Sequence, residues 1–311
     1  MATVDTIDTI GTADVKVHRA PSGRPPWMER PSRFGRGAKF LAIVLISIVV
    51  VYPFLAVVAT SLSSQADIAS SGGLVLWPAH PSLAAYRYVF SGGVVSRALW
   101  ISLGVTVVGT LASLAATIGM AYGLSRRGVV GGRFFLTVAL FTMLFSPGVI
   151  PMFLTVQKLG MYNSLTALVV PSLVSAFNLV VLRSFFMSLP AELLDAAKID
   201  GLGDWRILTR VVLPLSKAVL AVVALFYAVS YWNAFFNAML YLNDTDKWPL
   251  ALVLRGLVIG GEATNAANEG IVPQQAVQMA VVVVSVVPIA AVYPFLQRYF
   301  TNGVLTGAVK G

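Results

Sequence analysis

Six long stretches of this 311-residue chain contain no Asp, Glu, Lys or Arg: Phe40–Ala66, Ala98–Ser125, Phe134–Gln157, Leu159–Leu182, Ala218–Asn243 and Gly270–Gln297. A charge at the centre of a bilayer costs at least about 2.5 kcal/mol, whereas about 20 apolar residues in a helix cross the ~30 Å of hydrocarbon. Each window is long enough. A soluble core could not absorb them all, because the chain is 57% hydrophobic and only 11% charged, against about 25% charged in an ordinary soluble domain. The expected fold class is all-α: a polytopic membrane protein with six transmembrane helices near 40–64, 99–124, 134–157, 163–186, 216–242 and 275–297. A seventh uncharged stretch, Ile68–Tyr86, contains Gly72, Gly73, Pro78, His80 and Pro81 and reads as a loop.

Basic residues border the apolar windows, so the net charge of +9 points to membrane topology rather than to nucleic acid. With the N-terminus in the cytoplasm, the segments on that side hold 17 of the 22 Lys and Arg residues and the opposite side holds 5. The positive-inside rule therefore places both termini inside. Residues 1–37, with Pro21, Pro25, Pro26 and Pro31 among scattered charges, read as a flexible cytoplasmic tail. Residues 38–298 form the membrane domain and 299–311 a second cytoplasmic tail. The first window is too long, and follows too long a tail, to read as a cleaved signal peptide. The chain has no cysteine, which excludes disulfides and thiolate chemistry. His18 and His80 lie far apart, so no metal centre is expected.

The longest polar insertion facing the cytoplasm, 187–215, carries the most information. Pro190 and Glu192 suit a first helical turn, and Leu193, Leu194, Ala196 and Ala197 supply an apolar face. Gly201 and Gly203 stop that helix, and Asp204 is the expected N-cap of a second one. In the second helix Trp205, Leu208 and Val212 share one face, Arg206 and Arg210 another, and Pro214 ends it. The residues alone leave two readings open: an interfacial hairpin packed on its own bundle, or a site where a partner docks.

The spacing Asp195-Ala196-Ala197, then Gly201, then Val211-x-Leu213-Pro214 resembles the EAA loop of binding-protein-dependent ABC importer permeases. Leu193, Ile199 and Asp200 resemble the carbohydrate-uptake branch in particular, that of the second permease of oligosaccharide and polysaccharide importers of the maltose-importer type. The likeness extends over residues 38–311, with Asp195 standing where the family has Glu. It implies the type I ABC importer transmembrane fold in the cell (inner or plasma) membrane. It also implies that Glu192, Leu194, Asp195, Ala196, Ala197, Asp200, Gly201 and Gly203 form the coupling helix seated on a cytoplasmic ATPase. The partners so implied are a second permease subunit, expected to be a different chain, two ATPase subunits, an extracytoplasmic solute-binding protein and membrane lipid.

Active uptake needs energy, and the sequence contains no G-x-x-x-x-G-K-[ST]. Gly35-Arg36-Gly37-Ala38-Lys39 lacks the spacing. The subunit is thus expected to be no enzyme and to carry no cofactor, with ATP and Mg in the partner ATPase. Two other classes stand as alternatives. An ion-coupled secondary transporter is disfavoured by the charge-free windows, and the other alternative is a membrane scaffold without transport.

Candidates for the substrate path are Tyr227, Tyr231, Trp232, Asn233 and Asn237 in the fifth window and Asn178 in the fourth. Aromatic rings and amides suit the C–H faces and hydroxyls of a saccharide. The same residue types also anchor helices at interfaces or bond neighbouring helices. Pro147, Pro151 and Pro171 are expected to kink their helices, and Gly104, Gly109 and Gly119 to permit close helix packing. The outer segments, with Trp77, Tyr86, Asp244, Asp246, Trp248, Glu262 and Glu269, could form the platform for the binding protein.

Overall fold

The computed structural model describes residues 33–91, 93–126, 128–258 and 273–308. The tail to residue 32, Glu262 and Glu269 lie outside the described residues. The chain divides at Tyr52/Pro53. Its N-terminal unit contains the first part of helix α1 (Arg33–Ser61), where Phe40, Ile43, Ile46 and Val49 are exposed apolar side chains.

The larger unit is helical, with no strand among the described residues. Its elements are α2 (Gln65–Ser70), α3 (Ala84–Phe90), α4 (Val94–Ser125), α5 (Gly132–Leu144), α6 (Val149–Lys158), α7 (Thr166–Val169) and α8 (Ala176–Ser188). They continue with α9 (Ala191–Ile199), α10 (Asp204–Ile207), α11 (Leu213–Leu215), α12 (Lys217–Trp232), α13 (Phe235–Tyr241), α14 (Leu250–Val258) and α15 (Gln274–Ala308).

α4 is the spine. Its 32 residues make a rod of about 48 Å. Ala98, Ser102, Val105, Gly109, Ser113, Thr117 and Ala121 are buried at three- and four-residue spacing, a single stripe of small side chains. Three apolar clusters are strung along it. Ala98 joins Val89, Leu250, Val277 and Val281 at one end. Val105 joins Leu168, Val223, Tyr227 and Tyr231 in the middle. Ala121 joins Leu182, Phe186, Ala197, Ile207 and Leu208 at the other end.

Among the described residues, three helices are long and apolar enough to cross a membrane unbroken, over Gly37–Ser61, Val94–Ser125 and Gln274–Val292. Two bent pairs raise the number to as many as five, and the shorter Gly132–Leu144 is also apolar. The windows at 134–157, 163–186 and 216–242 are each interrupted for local reasons, the first two beside prolines expected to kink them, Pro147 and Pro171. In the first, Pro147 disfavours helix at Ser146, and Gly148 sits at φ +84°, so α5 and α6 are separate. Pro151 lies in the first turn of α6 and breaks nothing. In the second, Pro171 occupies a tight turn, Val170–Ser172, and the chain bends by 49° before α8. Ser175 then caps α8 by accepting from the Asn178 N–H at 3.5 Å. In the third, Asn233 Nδ2 donates to the Val229 carbonyl at 2.9 Å, and α12 stops one residue earlier. The charge-free window ending at Leu182 understates α8, which carries Arg183 within it.

Of the three glycines expected at helix contacts in α4, only Gly109 meets a neighbour. A Cβ there would lie 2.8 Å from the Tyr231 ring, whereas Gly104 and Gly119 face open space. The stretch expected as loop at 68–86 also departs in part: α2 and α3 occupy its ends.

Candidate functional site

The polar insertion folds as the expected hairpin. Pro190 immediately precedes α9 with φ −55°, Glu192 lies in its first turn and Lys198 in its last, each complementing the nearer end of the helix dipole. The C-terminus closes in a Schellman motif: Gly201 N–H donates to Lys198 O and Leu202 N–H to Ala197 O, both at 3.0 Å. Gly201 sits at φ +77°, where a side chain is strained, although a Cβ would touch nothing within 4 Å. Asp200 donates its N–H to Ala196 O at 3.0 Å. Gly203 rather than Asp204 is the N-cap of α10, and Asp204 is its first residue.

The second helix is not the regular rod expected. Leu208–Val212 form a π-helical turn ahead of Pro214, which has no N–H and whose ring crowds the carbonyl four residues back. The extra residue per turn rotates the face. Ile207, Leu208 and Val212 are buried, while Trp205, expected on the same face, is 74% exposed. At Ser216 the chain turns by 86° into α12. Ser216 is fully buried, with Oγ donating to Val212 O at 2.6 Å and N–H bonding both Val212 O and Leu213 O.

α9 thus has two sides. Ala197, at 5% exposure, is buried in the same cluster as Ile207 and Leu208, and half-buried Leu194 packs against it. Ala197 therefore anchors the hairpin to its own bundle, and of the expected alanine pair only Ala196 is presented outward. The outward side carries Glu192, Leu193, Asp195, Ala196, Ile199 and Asp200, with Ile199 at 87% exposure. Asp195 pairs with Lys198 at 3.2 Å in the open, a contact that contributes little by itself.

Residues outside the expected set tie this hairpin to α4. Tyr122 Oη donates to the Asp204 carbonyl at 3.0 Å and accepts from Arg126 Nη2. The Arg126 guanidinium lies 4.4 Å from the centre of the Tyr122 ring, and its Nη2 is 3.5 Å from Asp204 Oδ1. Arg183 Nε donates to Leu124 O at 2.9 Å, binding α8 to the same end of α4. The one sequence signal for this cluster was the four-residue spacing of Tyr122 and Arg126 at the end of a charge-free window.

The path candidates divide into two groups. Tyr227 and Tyr231 are buried between helices. Tyr227 Oη pairs with Thr117 Oγ1 at 2.7 Å and accepts the Ser175 N–H at 2.9 Å. Tyr231 Oη pairs with Ser113 Oγ at 2.7 Å and approaches Val169 O and Ser172 O at 3.3 and 3.4 Å. Trp232 Nε1 donates to Ser285 O at 3.0 Å, tying α12 to α15. Asn178 is buried in α8. Asn233 and Asn237 instead line a cleft of about 210 Å³ with Ser172, Ser230, Phe236 and the edge of Tyr231. The cleft offers hydroxyls, amides and a ring but no charge. A larger groove of about 340 Å³, lined by Leu103, Val107, Trp232, Pro288 and Val292, is apolar.

Between the apolar windows, Asn163 adopts φ +56° and its Oδ1 accepts the N–H groups of both Asn243 and Asp244. Arg97 pairs with Asp246 nearby. Asp67 fastens the segment that ends at His80: its carboxylate accepts the His80 N–H at 3.1 Å and lies 3.3 Å from His80 Nδ1. Those bonds from His80, followed by one from Ser64, outweigh partial desolvation and hold the Asp67 carboxyl below its usual range.

Residues 109–306 match the family model described as the binding-protein-dependent transport system inner membrane component. The chain is 42% identical over 274 residues to the polygalacturonan/rhamnogalacturonan transport system permease protein YtcP of Bacillus subtilis, covering 86% of this chain and 96% of that one. It is 43% identical over 267 residues to protein LplC of the same organism, covering 85% and 90%. The crystal structure of a bacterial ABC transporter that imports the acidic polysaccharide alginate superposes with a TM-score of 0.82 at 29% identity, over 89% of this chain and 100% of that one. Fold, hairpin and relatives agree: the chain belongs to the family of inner membrane components of binding-protein-dependent transport systems, the permease subunits of ABC importers.

Proposed function

We propose that this chain is one of two permease subunits of an ATP-driven importer for oligosaccharides released from acidic polysaccharides. The observation that carries the reading is the two-sided hairpin. Its inner side is fixed by Ala197, Ile207 and Leu208, while Leu193, Ile199 and Trp205 stand exposed beside Glu192, Asp195 and Asp200. Apolar side chains ringed by charge on a rigid support suit a protein partner. The ATPase subunit is that partner, since the chain has no nucleotide-binding motif, and ATP with Mg belongs there. Asp195 faces a basic group on it, and Gly201 and Gly203 set the turn.

The chain crosses the membrane six times with both termini in the cytoplasm. The crossings are α1, α4, the broken pair α5–α6, α7–α8, α12–α13 and α15. The distribution of Lys and Arg supports this orientation. A second, different permease subunit completes the path, and a solute-binding protein delivers cargo to the outer loops. The uncharged cleft of Ser172, Ser230, Asn233, Phe236 and Asn237 offers sugar hydroxyls their partners. Relatives named for polygalacturonan and alginate support a uronate-containing cargo.

The test is uptake of oligogalacturonate by proteoliposomes containing both permeases and the ATPase, with binding protein outside and ATP inside. Uptake that requires ATP and the binding protein is expected. Ile199→Asp is expected to lose copurification of the ATPase while the permease still inserts. Uptake driven by an ion gradient without ATP would sink the proposal.

A further inference from the structure

The Tyr122 side chain makes two kinds of contact, and only one of them needs its hydroxyl. The ring is half-buried, edge-on to Phe186 with centroids 6.4 Å apart, and lies under the Arg126 guanidinium. A phenylalanine would keep both contacts. The hydroxyl reaches out of α4 to the first residue of α10, where the Asp204 carbonyl already accepts the Leu208 N–H. It takes that carbonyl's second lone pair. The bond therefore adds nothing to α10 itself; it fastens the hairpin to α4.

α4 is fastened equally tightly to the cleft. Thr117 and Ser113 hold Tyr227 and Tyr231 of α12 at 2.7 Å each. Those tyrosines in turn hold the interrupted fourth segment, through the Ser175 N–H and the Val169 and Ser172 carbonyls. Tyr231 and Ser172 line the cleft. Hydrogen bonds thus join the hairpin to the cleft wall along one helix.

We propose that Tyr122 is a positioning residue for transport: its hydroxyl clamps the hairpin to α4, so that hairpin and cleft wall move as one body. This rests on the importer reading. Without the clamp, the hairpin would follow the ATPase while α4 lagged, and hydrolysis would run without displacing cargo. Arg126 orients the clamp by donating to the same hydroxyl.

The experiment measures cargo taken up per ATP hydrolysed by the complete importer in proteoliposomes, for wild type, Tyr122→Phe and Asp204→Ala. This ratio does not depend on how much complex is assembled, so a merely structural defect would leave it unmoved. Tyr122→Phe is expected to lower it about 3- to 10-fold, the worth of one hydrogen bond. Asp204→Ala keeps the carbonyl and loses only a side chain that is 80% exposed in its ion pair, so the ratio is expected to stay within about twofold. A wild-type ratio for Tyr122→Phe, a proportional fall of uptake and hydrolysis, or an equal loss in Asp204→Ala would overturn the clamp. Wild-type complex that hydrolyses ATP without any uptake would overturn the importer reading instead.

Discussion

Gly201 is where backbone conformation alone decides the outcome. Its φ of +77° lies in the left-handed region, and a Cβ would meet nothing within 4 Å. Substitution there is consequently a pure conformational perturbation, with no packing term. The left-handed conformation costs an L-residue about 1–2 kcal/mol. That cost falls on the Schellman bonds from Gly201 to Lys198 and from Leu202 to Ala197. Local opening of the turn should become about 5- to 30-fold more frequent in Gly201→Ala, since each ~1.4 kcal/mol is tenfold. Hydrogen exchange of the segment 196–205 in nanodiscs would report this as a matching loss of protection at residues 201 and 202. Gly201→Asn should recover most of it, because Asn tolerates this conformation. Equal loss in the Ala and Asn variants, or unchanged protection in Ala, would refute the conformational argument.

Other expectations follow from packing and titration. Gly109→Ala drives a methyl into the Tyr231 ring and should destabilise the subunit in detergent by about 1–3 kcal/mol, whereas Gly104→Ala, facing open space, should be neutral or stabilise by up to about 1 kcal/mol in a thermal melt. Tyr231→Phe leaves the buried Ser113 hydroxyl without its 2.7 Å partner and should cost about 1–3 kcal/mol in the same melt. Asp67 has a lowered folded-state pKa, so its contribution is complete above the ordinary carboxylate value of 3.8 and is lost as pH falls through the lowered one. Limited proteolysis of the loop 64–80 should accelerate in that acid window for wild type, and Asp67→Asn should abolish the pH dependence.

Much of this was legible because membranes impose simple constraints. Charge-free windows mark apolar helices whatever their partners, and Gly201 announces its turn because few side chains tolerate the left-handed conformation there. The interruptions are legible only in part. Pro147 and Pro171 mark the first two, but hydropathy is blind to backbone hydrogen bonds and nothing in it marks the stop before Asn233. Regular helical spacing puts Trp205 on one face with Leu208 and Val212, but those two are buried while Trp205 is exposed, and the helix is π-helical from Leu208 on. Asp204 looked like a cap by residue type, but Gly203 takes that position and leaves Asp204 to Tyr122 and Arg126, 82 and 78 residues away in sequence. Type and spacing make Tyr227 and Tyr231 candidates for the path. Their hydroxyl partners lie on α4, more than a hundred residues earlier, and only the folded chain brings them together.

The bend at Ser216 has a mechanical consequence. An 86° corner whose pivot is buried and bonded back to Val212 and Leu213 would work as a bell crank wherever the Tyr122 bond keeps the short arm in register with α4. The twelve residues from Asp204 to Leu215 make one arm of about 18 Å, and the sixteen of α12 another of about 24 Å. A tilt of about 5° imposed on the short arm would swing the far end of α12, where Asn233 faces the cleft, by about 2 Å. Such a corner would turn a displacement of one arm into a sweep of the other nearly at right angles to it, with a gain of about 1.3 from the two arm lengths.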